Sequence, residues 1–211
     1  ISYLDAQVGE LLATLESLGT LDNTIIVLWG DHGWHLGDHD LWNKHTNFEN
    51  ATKVPLIMVA PGISSGDADT FAEFVDIYPT LCDLAGINIP LNIDGKSLVQ
   101  AMENKKSRLR DYAVSQYPRK LTKEEADRRG YESTTIMGYS LRTERYRYTM
   151  WVHDFTTRQL FSDRKICEEE LYDYQKDPLE TINVVAEKSY FKIKKELKKM
   201  MIDFFSKQLD K

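Results

Sequence analysis

The first eighteen residues carry apolar side chains at a helical period. These side chains recur every three or four positions, at Leu4, Val8, Leu11, Leu12, Leu15 and Leu18. The spacing predicts an amphipathic helix. Gly19 can end this helix, because glycine readily adopts the left-handed conformation just beyond a helix C-terminus.

Two short runs of consecutive apolar residues follow, at residues 25–29 and residues 54–60. Continuous apolar runs are typical of strands that are buried on both faces, as in a parallel sheet. The order of helix, strand, long polar loop and strand therefore predicts an α/β sheet. Ligand sites in such sheets lie at the carboxyl ends of the strands, so the segment after Trp29 is the first place to look for chemistry.

The second half of the chain has a different pattern. Residues 76–85 predict a short helix, residues 136–152 a hairpin and residues 170–173 another strand, and apolar positions at helical spacing among many lysines predict a final helix over 187–211. The strongly charged stretch 103–130 is the candidate boundary region. We expect the tail of an α/β domain over residues 1–105, and a smaller α+β subdomain over 106–211 with a short antiparallel sheet and a terminal helix.

Composition excludes several classes of protein. The chain has 211 residues, of which 42% are apolar, so it has material for a sizeable core and is not expected to be disordered or fibrous. A net charge of −6 disfavours general nucleic-acid binding. No apolar run reaches the roughly 18 residues of a membrane helix, and two cysteines are too few for a disulfide scaffold or a Cys-rich zinc module. The lysine-rich final helix suggests binding to a membrane or a polyanion, but we expect instead that its apolar side packs on the body while its lysines lie in water.

The segment after Trp29 concentrates groups that can bind metals or transfer protons. His32, His35 and His39 would share a face if this segment were a helix, but its three glycines each cost about 1 kcal/mol there, which weighs against a histidine zinc site. The segment could simply pack against a strand end. Two features favour a functional site instead: glycines allow close backbone approach to a ligand, and Asp31 offers the oxygen that calcium or magnesium prefers.

The motifs then occur in an ordered series. Asp31-His32-Gly33 is followed by Gly37-Asp38-His39, Trp42 and Lys44, and by the segments 47–48, 51–52, 54–57, 60–62, 76–80, 84–86 and 94–98. This series resembles the carboxyl-terminal half of a type I sulfatase of the alkaline-phosphatase superfamily. Segments 115–119, 137–143, 146–149, 151–152, 170–172 and 177–178 resemble its iduronate-2-sulfatase branch more narrowly, and the resemblance covers residues 2 to about 184. It implies a partial sulfatase-like mixed sheet with helices, continued by the C-terminal sulfatase subdomain.

The resemblance implies roles for individual residues. Asp31 matches a ligand of the family's calcium ion, and His32 a further ligand or a neighbour that contacts the sulfate. Lys44 matches the catalytic lysine that touches the sulfate. Trp34 and His39 are expected to line the substrate pocket, unless they only pack.

Arg119 is expected to contact the substrate, where its planar fork could pair with a carboxylate, unless it forms an internal salt bridge. Three further arginines of the predicted hairpin are expected to be structural or to lie at the surface: Arg142, Arg145 and Arg147.

The chain departs from the family in one large respect. Sulfatases use a formylglycine nucleophile made from a Cys or Ser that is followed by Pro and Arg, and neither Cys82 nor Cys167 has these neighbours. The family's early paired aspartates, which complete the calcium site, are absent too. We therefore expect this chain to be inactive alone and to be the partner of a missing amino-terminal segment, as a fragment or a processed subunit.

The substrate implied by the resemblance is a sulfated saccharide from glycosaminoglycan breakdown, and the location is exported (periplasmic or extracellular) or lysosomal. Two other readings stay open. One is a phosphodiester or phosphonate hydrolase of the same superfamily, and the other is a non-catalytic glycan-binding or scaffold module. Residues 156–169 match no pattern.

Overall fold

The computed structural model describes residues 1–153 and 165–209. The helices are α1 (Ser2–Ser17), α2 (Glu49–Thr52), α3 (Ile77–Leu84), α4 (Val99–Glu103), α5 (Lys123–Arg129) and α6 (Phe191–Leu209). The strands are β1 (Ile26–Trp29), β2 (His35–Leu36), β3 (Trp42–Asn43), β4 (Leu56–Val59), β5 (Tyr112–Lys120), β6 (Thr135–Thr143), β7 (Tyr146–Val152) and β8 (Ile166–Asp173). Short 3-10 turns lie at Leu21–Asn23, Asp38–Asp40, Phe74–Asp76 and Lys188–Tyr190. Of the unassigned stretch 156–169, residues 156–164 lie outside the described residues, and residues 166–169 form the first half of β8.

The chain divides into two compact units. The first comprises Ile1–Gly30 and Pro55–Arg110, and the second comprises Asp31–Val54 and Asp111–Lys211. Residues 31–54 thus leave the first unit between its two strands and belong to the second. The division into domains 1–105 and 106–211 stays a prediction.

The first unit corrects one expectation about strand direction. Strands β1 and β4 were expected in a parallel sheet, but they pair antiparallel, with Ile26 opposite Val59. A parallel return needs a crossover along the sheet. Here the chain leaves β1 and re-enters β4 at the same end, where the Gly30 N–H donates to the Pro55 carbonyl (3.1 Å). The two strands are also not buried on both faces within this chain, since roughly half of several side chains is exposed: Leu28, Trp29, Ile57 and Val59.

A buried carboxylate organises the rest of the first unit. Asp76 is fully buried just before α3, the helix predicted over residues 76–85. Its oxygens accept hydrogen bonds from the N–H groups of Glu73 and Lys96 (2.8 Å each) and from the Arg110 guanidinium (3.1 Å). Because a buried carboxylate is tolerated only when it is paired and hydrogen-bonded, this cluster fixes three loops around the start of α3.

The second unit is built on a four-stranded antiparallel sheet in the order β5-β6-β7-β8. Strands β6 and β7 form the hairpin that was predicted over residues 136–152, and β8 extends the predicted strand 170–173 towards its N-terminus. Strand β5 lies inside the charged stretch that was predicted as a boundary. Its Pro118 is tolerated because β5 is an edge strand of this sheet, where a missing N–H costs no ladder bond.

The two faces of this sheet differ in chemistry. One face is apolar and packs on α6, whose Leu197 and Met201 are buried in the same cluster as sheet residues Tyr139, Leu141, Tyr148, Met150, Val152 and Leu171. The terminal helix and the burial of its apolar side are therefore confirmed. The other face carries Ser140, Arg147 and Thr149, which are also buried. This polar face contacts residues 47–52, so it supports the segment that contains the candidate site. None of the helices in the described part of the chain is both long and apolar enough to cross a membrane.

The pair Arg145–Asp173 at the end of β8 predicts a dependence of stability on acid. Asp173 is 1% exposed, and two hydrogen bonds from the Arg145 guanidinium (2.8 and 2.7 Å) lower its pKa to about 2. A depressed carboxylate pKa contributes stability that is present above the ordinary value near 3.8 and is lost as the pH falls towards 2. We expect Arg145→Gln to lower the free energy of unfolding by about 1–2 kcal/mol at pH 7.

The difference from the wild type should shrink as the pH falls from about 4 to 2, which urea unfolding at each pH would measure. Arg108→Gln is the matched control, because its pair with Asp69 is exposed at both partners and should contribute less than about 1 kcal/mol. A difference for Arg145→Gln that stays constant over this pH range would contradict the assignment.

Candidate functional site

The loop after β1 lies against the short helix α2 through a glycine. The Gly33 N–H donates to the Ala51 carbonyl (2.9 Å), and a Cβ atom on Gly33 would lie 1.9 Å from the Asn50 carbonyl oxygen. No other residue fits without backbone movement, because a contact this short is repulsive for any side chain. The glycine of the Asp31-His32-Gly33 triplet therefore fixes the course of the loop that carries its two neighbours.

Three predicted site residues meet within hydrogen-bond distance. His32 Nδ1 lies 2.9 Å from the Gly33 carbonyl oxygen, and a carbonyl can only accept, so this nitrogen carries the proton. In the neutral ring, Nε2 then has an electron pair that can accept from the Lys44 ammonium, whereas Nε2 can donate to the Asp31 carboxylate only in the protonated ring. This atom lies 2.5 Å from Lys44 Nζ and 3.1 Å from Asp31 Oδ2. Lys44 is twelve residues from His32 in sequence, and the fold joins the two.

The three side chains differ in exposure. The side chain of Asp31 is 83% exposed, whereas that of His32 is 29% exposed. The second carboxylate oxygen of Asp31 accepts the His32 backbone N–H (3.0 Å). An exposed carboxylate, an imidazole with a free electron pair and an ammonium group thus converge at one point of the surface, and such a group can bind an anion, a cation or both.

The fit to a calcium ion is partial. Asp31 supplies the oxygen that calcium prefers, and the Nδ1–H of His32 is anchored to a carbonyl, as is usual for a histidine that binds metal through its other nitrogen. Calcium takes six to eight ligands. Among residues 1–153 and 165–209, no cluster of three or more His, Cys, Asp or Glu side chains could hold a metal ion. Asp31 and His32 can therefore form only part of a coordination sphere.

The other histidines of this segment have separate partners. His35 is fully buried, with Nε2 hydrogen-bonded to Thr46 Oγ1 (2.8 Å) and Nδ1 without a partner in the part of the chain that the structure describes. Burial and the nearby His39 lower the pKa of His35. His39 stacks on Phe48, with ring centroids 3.9 Å apart. His35 and His39 lie edge to face, with ring centroids 5.8 Å apart, and the segment is not an α-helix, so the three histidines do not share a helix face.

Aromatic and apolar side chains are exposed beside this site. Trp34 is 52% exposed, and its ring centroid lies 6.1 Å from that of His32. In the β2–β3 hairpin Leu36 pairs with Trp42, and these side chains are 69% and 72% exposed. About half of the Trp34 side chain is therefore open to solvent next to the site. His39 makes the packing contact that was its alternative, and contact of either residue with substrate stays a prediction.

Arg119 lies on β5 and is exposed. Alternation along a strand puts it on the same face as Ser115 and Tyr117. Ser115 Oγ donates to Asn47 Oδ1 (3.1 Å), and the Tyr117 ring stacks on His45 (5.6 Å). Arg119 thus belongs to the sheet face that holds the segment around Lys44. Within the described residues it forms no ion pair, but its charge acts on the Glu170 carboxyl of β8 and opposes the rise in the pKa of that group. Contact of Arg119 with substrate stays a prediction.

A buried ion network holds α2 against the sheet. Arg147 is 2% exposed and pairs with Glu180 Oε1 (2.5 Å) and Glu49 Oε2 (2.5 Å). Burial opposes the ionisation of Glu49, but the hydrogen bond from Arg142 (3.0 Å) and the charge of Arg147 outweigh it and lower the pKa of Glu49. Glu180 also accepts the backbone N–H of Glu49 (2.8 Å) at the start of α2. The same α2 contacts Gly33, so the network supports the site loop.

The structural role expected of Arg142, Arg145 and Arg147 is confirmed, since each is paired with a carboxylate. The sequence did not point to Glu49 or Glu180. An arginine in an otherwise apolar strand signals a buried acidic partner, but nothing in the sequence says which acid it is. The contact spans 98 residues to Glu49.

Comparisons with known proteins show what this chain is similar to. The family model "N-sulphoglucosamine sulphohydrolase, C-terminal" matches residues 37–207. Human iduronate 2-sulfatase is 33% identical over an alignment that covers 87% of this chain and 42% of the human protein. The chain thus spans less than half the length of this curated relative.

Solved structures agree in fold. A protein in complex with its substrate D-glucosamine-2-N,6-O-disulfate superposes with a TM-score of 0.77 at 30% identity, over 98% of this chain and 39% of that protein. The phosphonate monoester hydrolase of Agrobacterium radiobacter superposes with a TM-score of 0.78 at 27% identity, over 98% of this chain and 40% of that enzyme. The mixed fold expected from the sequence is confirmed.

Proposed function

The chain belongs to the sulfatase family, whose C-terminal part it matches, and on this premise we propose that it completes the active site of a sulfuric ester hydrolase that removes sulfate from a sulfated carbohydrate. The observation that carries the proposal is the convergence of Asp31, His32 and Lys44 directly after β1. The partner in this proposal is the amino-terminal part of a sulfatase, without which the chain is inactive.

Lys44 is the proposed catalytic residue. One N–H of its ammonium group donates to the electron pair of His32 Nε2, which leaves two N–H groups for sulfate oxygens. Negative charge grows on the sulfuryl and leaving oxygens as the S–O bond breaks, and a fixed ammonium stabilises this charge more in the transition state than in the ground state. The bond from His32 Nδ1 to the Gly33 carbonyl holds the imidazole, and hence Lys44, in position.

Two groups outside this chain complete the proposed site. Calcium would be held by Asp31 together with ligands from the amino-terminal part, and when bound it would neutralise charge on the sulfate. His32 would join as a ligand only after Nε2 releases its hydrogen bond with Lys44, because its single electron pair cannot serve both. Formylglycine is expected in that amino-terminal part and would supply the nucleophile. What this chain itself contributes is part of the metal's coordination sphere and the lysine.

The proposed substrate is a sulfated saccharide of the glycosaminoglycan class, and the name of the human relative gives a 2-sulfated iduronate as the substrate of that enzyme. Trp34 would stack on a sugar ring, His39 would line the pocket beside it, and Arg119 would pair with a uronate carboxylate, since a guanidinium binds such a group through two parallel hydrogen bonds. An exported or lysosomal location belongs to the same proposal, and no nucleic-acid partner is expected.

Replacement of Lys44 by alanine tests the catalytic role. In the protein that contains this chain and its amino-terminal part, we expect Lys44→Ala to lower kcat on a sulfated disaccharide about 100- to 1000-fold, because one charge-stabilising donor is lost. Lys123→Ala, at an exposed position at the start of α5, should stay within about twofold of the wild type. Release of inorganic sulfate is the measurement. An unchanged kcat for Lys44→Ala would contradict catalysis and favour a glycan-binding module.

A second candidate reaction is hydrolysis of a phosphonate monoester or phosphodiester. The similarity to the Agrobacterium radiobacter phosphonate monoester hydrolase favours it. Measurement of kcat/KM for a sulfate ester and for a phosphonate ester with one preparation of the protein would distinguish the reactions. A larger kcat/KM for the sulfate ester supports the sulfatase proposal, and a larger value for the phosphonate ester overturns it in favour of this alternative.

A further inference from the structure

The outer side of the terminal helix carries a stripe of lysines. Lys192, Lys195 and Lys199 recur in α6 at spacings of three and four residues, and Lys188 continues the series in the preceding 3-10 turn. This spacing puts the four side chains on one side of the helix. All four are exposed, and together they extend over about 16 Å at 1.5 Å per residue. We call these four residues the lysine stripe.

Two other lysines near the middle of α6 act on an acid of the sheet. Lys194 Nζ lies 2.6 Å from Glu169 on β8, and the charge of Lys198 also acts on Glu169. Among the described residues, the four lysines of the stripe have no ion pair. On α6, Lys194 and Lys198 thus lie near an acid of the sheet, and the lysine stripe faces solvent.

A cavity continues the stripe at the start of α6. It has a volume of about 330 Å³, and Lys192 lines it together with Arg145, Lys176 and Ser189. Two of these cations are held in place: Arg145 by the Asp173 carboxylate, and Lys176 with Nζ 5.0 Å from the ring centroid of Tyr190. Glu196 also lines the cavity and reduces its net positive charge. Side chains that are already ordered lose little entropy when a ligand binds.

The charge of this surface contrasts with that of the whole chain. The α6 segment contains six lysines and two acids, which gives +4, while the chain as a whole carries −6. Solubility does not require a positive α6 on a negative chain, because the net charge of the chain is already far from zero. A local row of cations attracts a ligand whose anionic groups repeat along its length.

We propose that the lysine stripe and the adjoining cavity bind a sulfated polysaccharide chain. The choice of a sulfated polysaccharide among polyanions rests on the proposed function. The stripe belongs to the helix that covers the apolar face of the β5–β8 sheet, whereas residues 31–54 contact the opposite, polar face. The stripe therefore binds a long polysaccharide away from the candidate site, and the sulfate ester that reacts is bound at the candidate site in residues 31–54.

Charge reversal with a matched control tests this inference. The stripe variant is Lys188→Glu, Lys192→Glu, Lys195→Glu and Lys199→Glu, made in the protein that contains this chain and its amino-terminal part. The control variant reverses four exposed lysines elsewhere, Lys96→Glu, Lys106→Glu, Lys120→Glu and Lys123→Glu, so both variants have the same net charge. Affinity for heparin is measured between 50 and 300 mM NaCl, and anionic phosphatidylserine vesicles are the second probe.

We expect the stripe variant to bind heparin at least tenfold more weakly than the control variant at about 150 mM salt, with a shallower dependence on salt, because fewer counterions are released. Both variants should release sulfate from a short disaccharide at the wild-type rate, and the stripe variant should have a raised KM only on the polymer. Equal heparin affinity of the two variants overturns the inference. So does a loss confined to vesicle binding, which would indicate a membrane surface.

The readouts separate this inference from the proposed function. Loss of heparin binding in the stripe variant, in a protein that releases no sulfate from any ester, would leave the polyanion surface standing while the sulfatase proposal fails. Normal sulfate release, together with heparin binding that does not depend on the stripe, would leave the sulfatase proposal standing while the inference about the lysine stripe fails.

Discussion

Replacement of Gly33 by alanine is expected to lower kcat for sulfate release about 100-fold and to reduce the free energy of unfolding by about 3 kcal/mol. The added Cβ would lie 1.9 Å from the Asn50 carbonyl oxygen and 2.8 Å from its carbonyl carbon, and both are backbone atoms. Relief of this contact requires the loop or α2 to move. The loop carries His32, whose position sets that of Lys44, so the movement separates groups that now lie 2.5 Å apart.

A second glycine provides the control for this prediction. Gly130 ends α5 with φ of 69°, and no atom lies within 4 Å of a Cβ added there. Gly130→Ala should therefore cost about 1 kcal/mol, from backbone conformation alone, and leave kcat unchanged. Steady-state kinetics and urea unfolding of both variants measure the two effects. A Gly33→Ala variant with the kinetics of Gly130→Ala would show that the loop does not position the catalytic lysine.

Removal of the buried guanidinium is expected to have the largest effect on stability. Arg147→Met leaves the Glu180 carboxylate, which is 2% exposed, without its charged partner, and it leaves Glu49 with Arg142 and the more distant Lys53 (4.0 Å). Breaking a buried ion pair from one side costs about 3–5 kcal/mol, because the remaining charge is desolvated and uncompensated. Urea unfolding followed by tryptophan fluorescence would measure the change.

Two further variants show whether the charge or the packing is responsible. Arg129→Met breaks an exposed pair, with side chains 36% and 58% exposed, and should cost less than about 1 kcal/mol. Glu180→Gln combined with Arg147→Met should recover part of the loss, since the uncompensated carboxylate is gone. If the double variant were as unstable as the sum of the single variants, the network would not act as an ion pair.

Much of the fold follows from periodicity, and the exceptions have physical causes. Helices α1 and α6 and the β6–β7 hairpin were predictable because one face of each repeats at the period of its structure. The direction of β4 relative to β1 was not predictable from the sequence. It depends on the path of residues 31–54 between the two strands, and the apolar pattern of β1 and β4 contains no information about that path. Strand β5 was missed because its charged flanks and Pro118 resemble a linker.

The candidate site was predictable to a similar degree. Asp31, His32 and Lys44 were found from the motif series, and the structure brings them together. Sequence reasoning could not supply the acids that support the site. Glu180 contacts Glu49 across 131 residues, and its burial depends on the sheet that forms between them.

A crystal structure of the protein that contains this chain and its amino-terminal part, grown with calcium and soaked with a sulfated disaccharide, is the most direct test of the proposed site. We predict a calcium ion with an Asp31 carboxylate oxygen about 2.3–2.6 Å away and a sulfate oxygen within about 3 Å of Lys44 Nζ. A calcium ion and a sulfate group bound together at a site without Asp31 and Lys44 would contradict it.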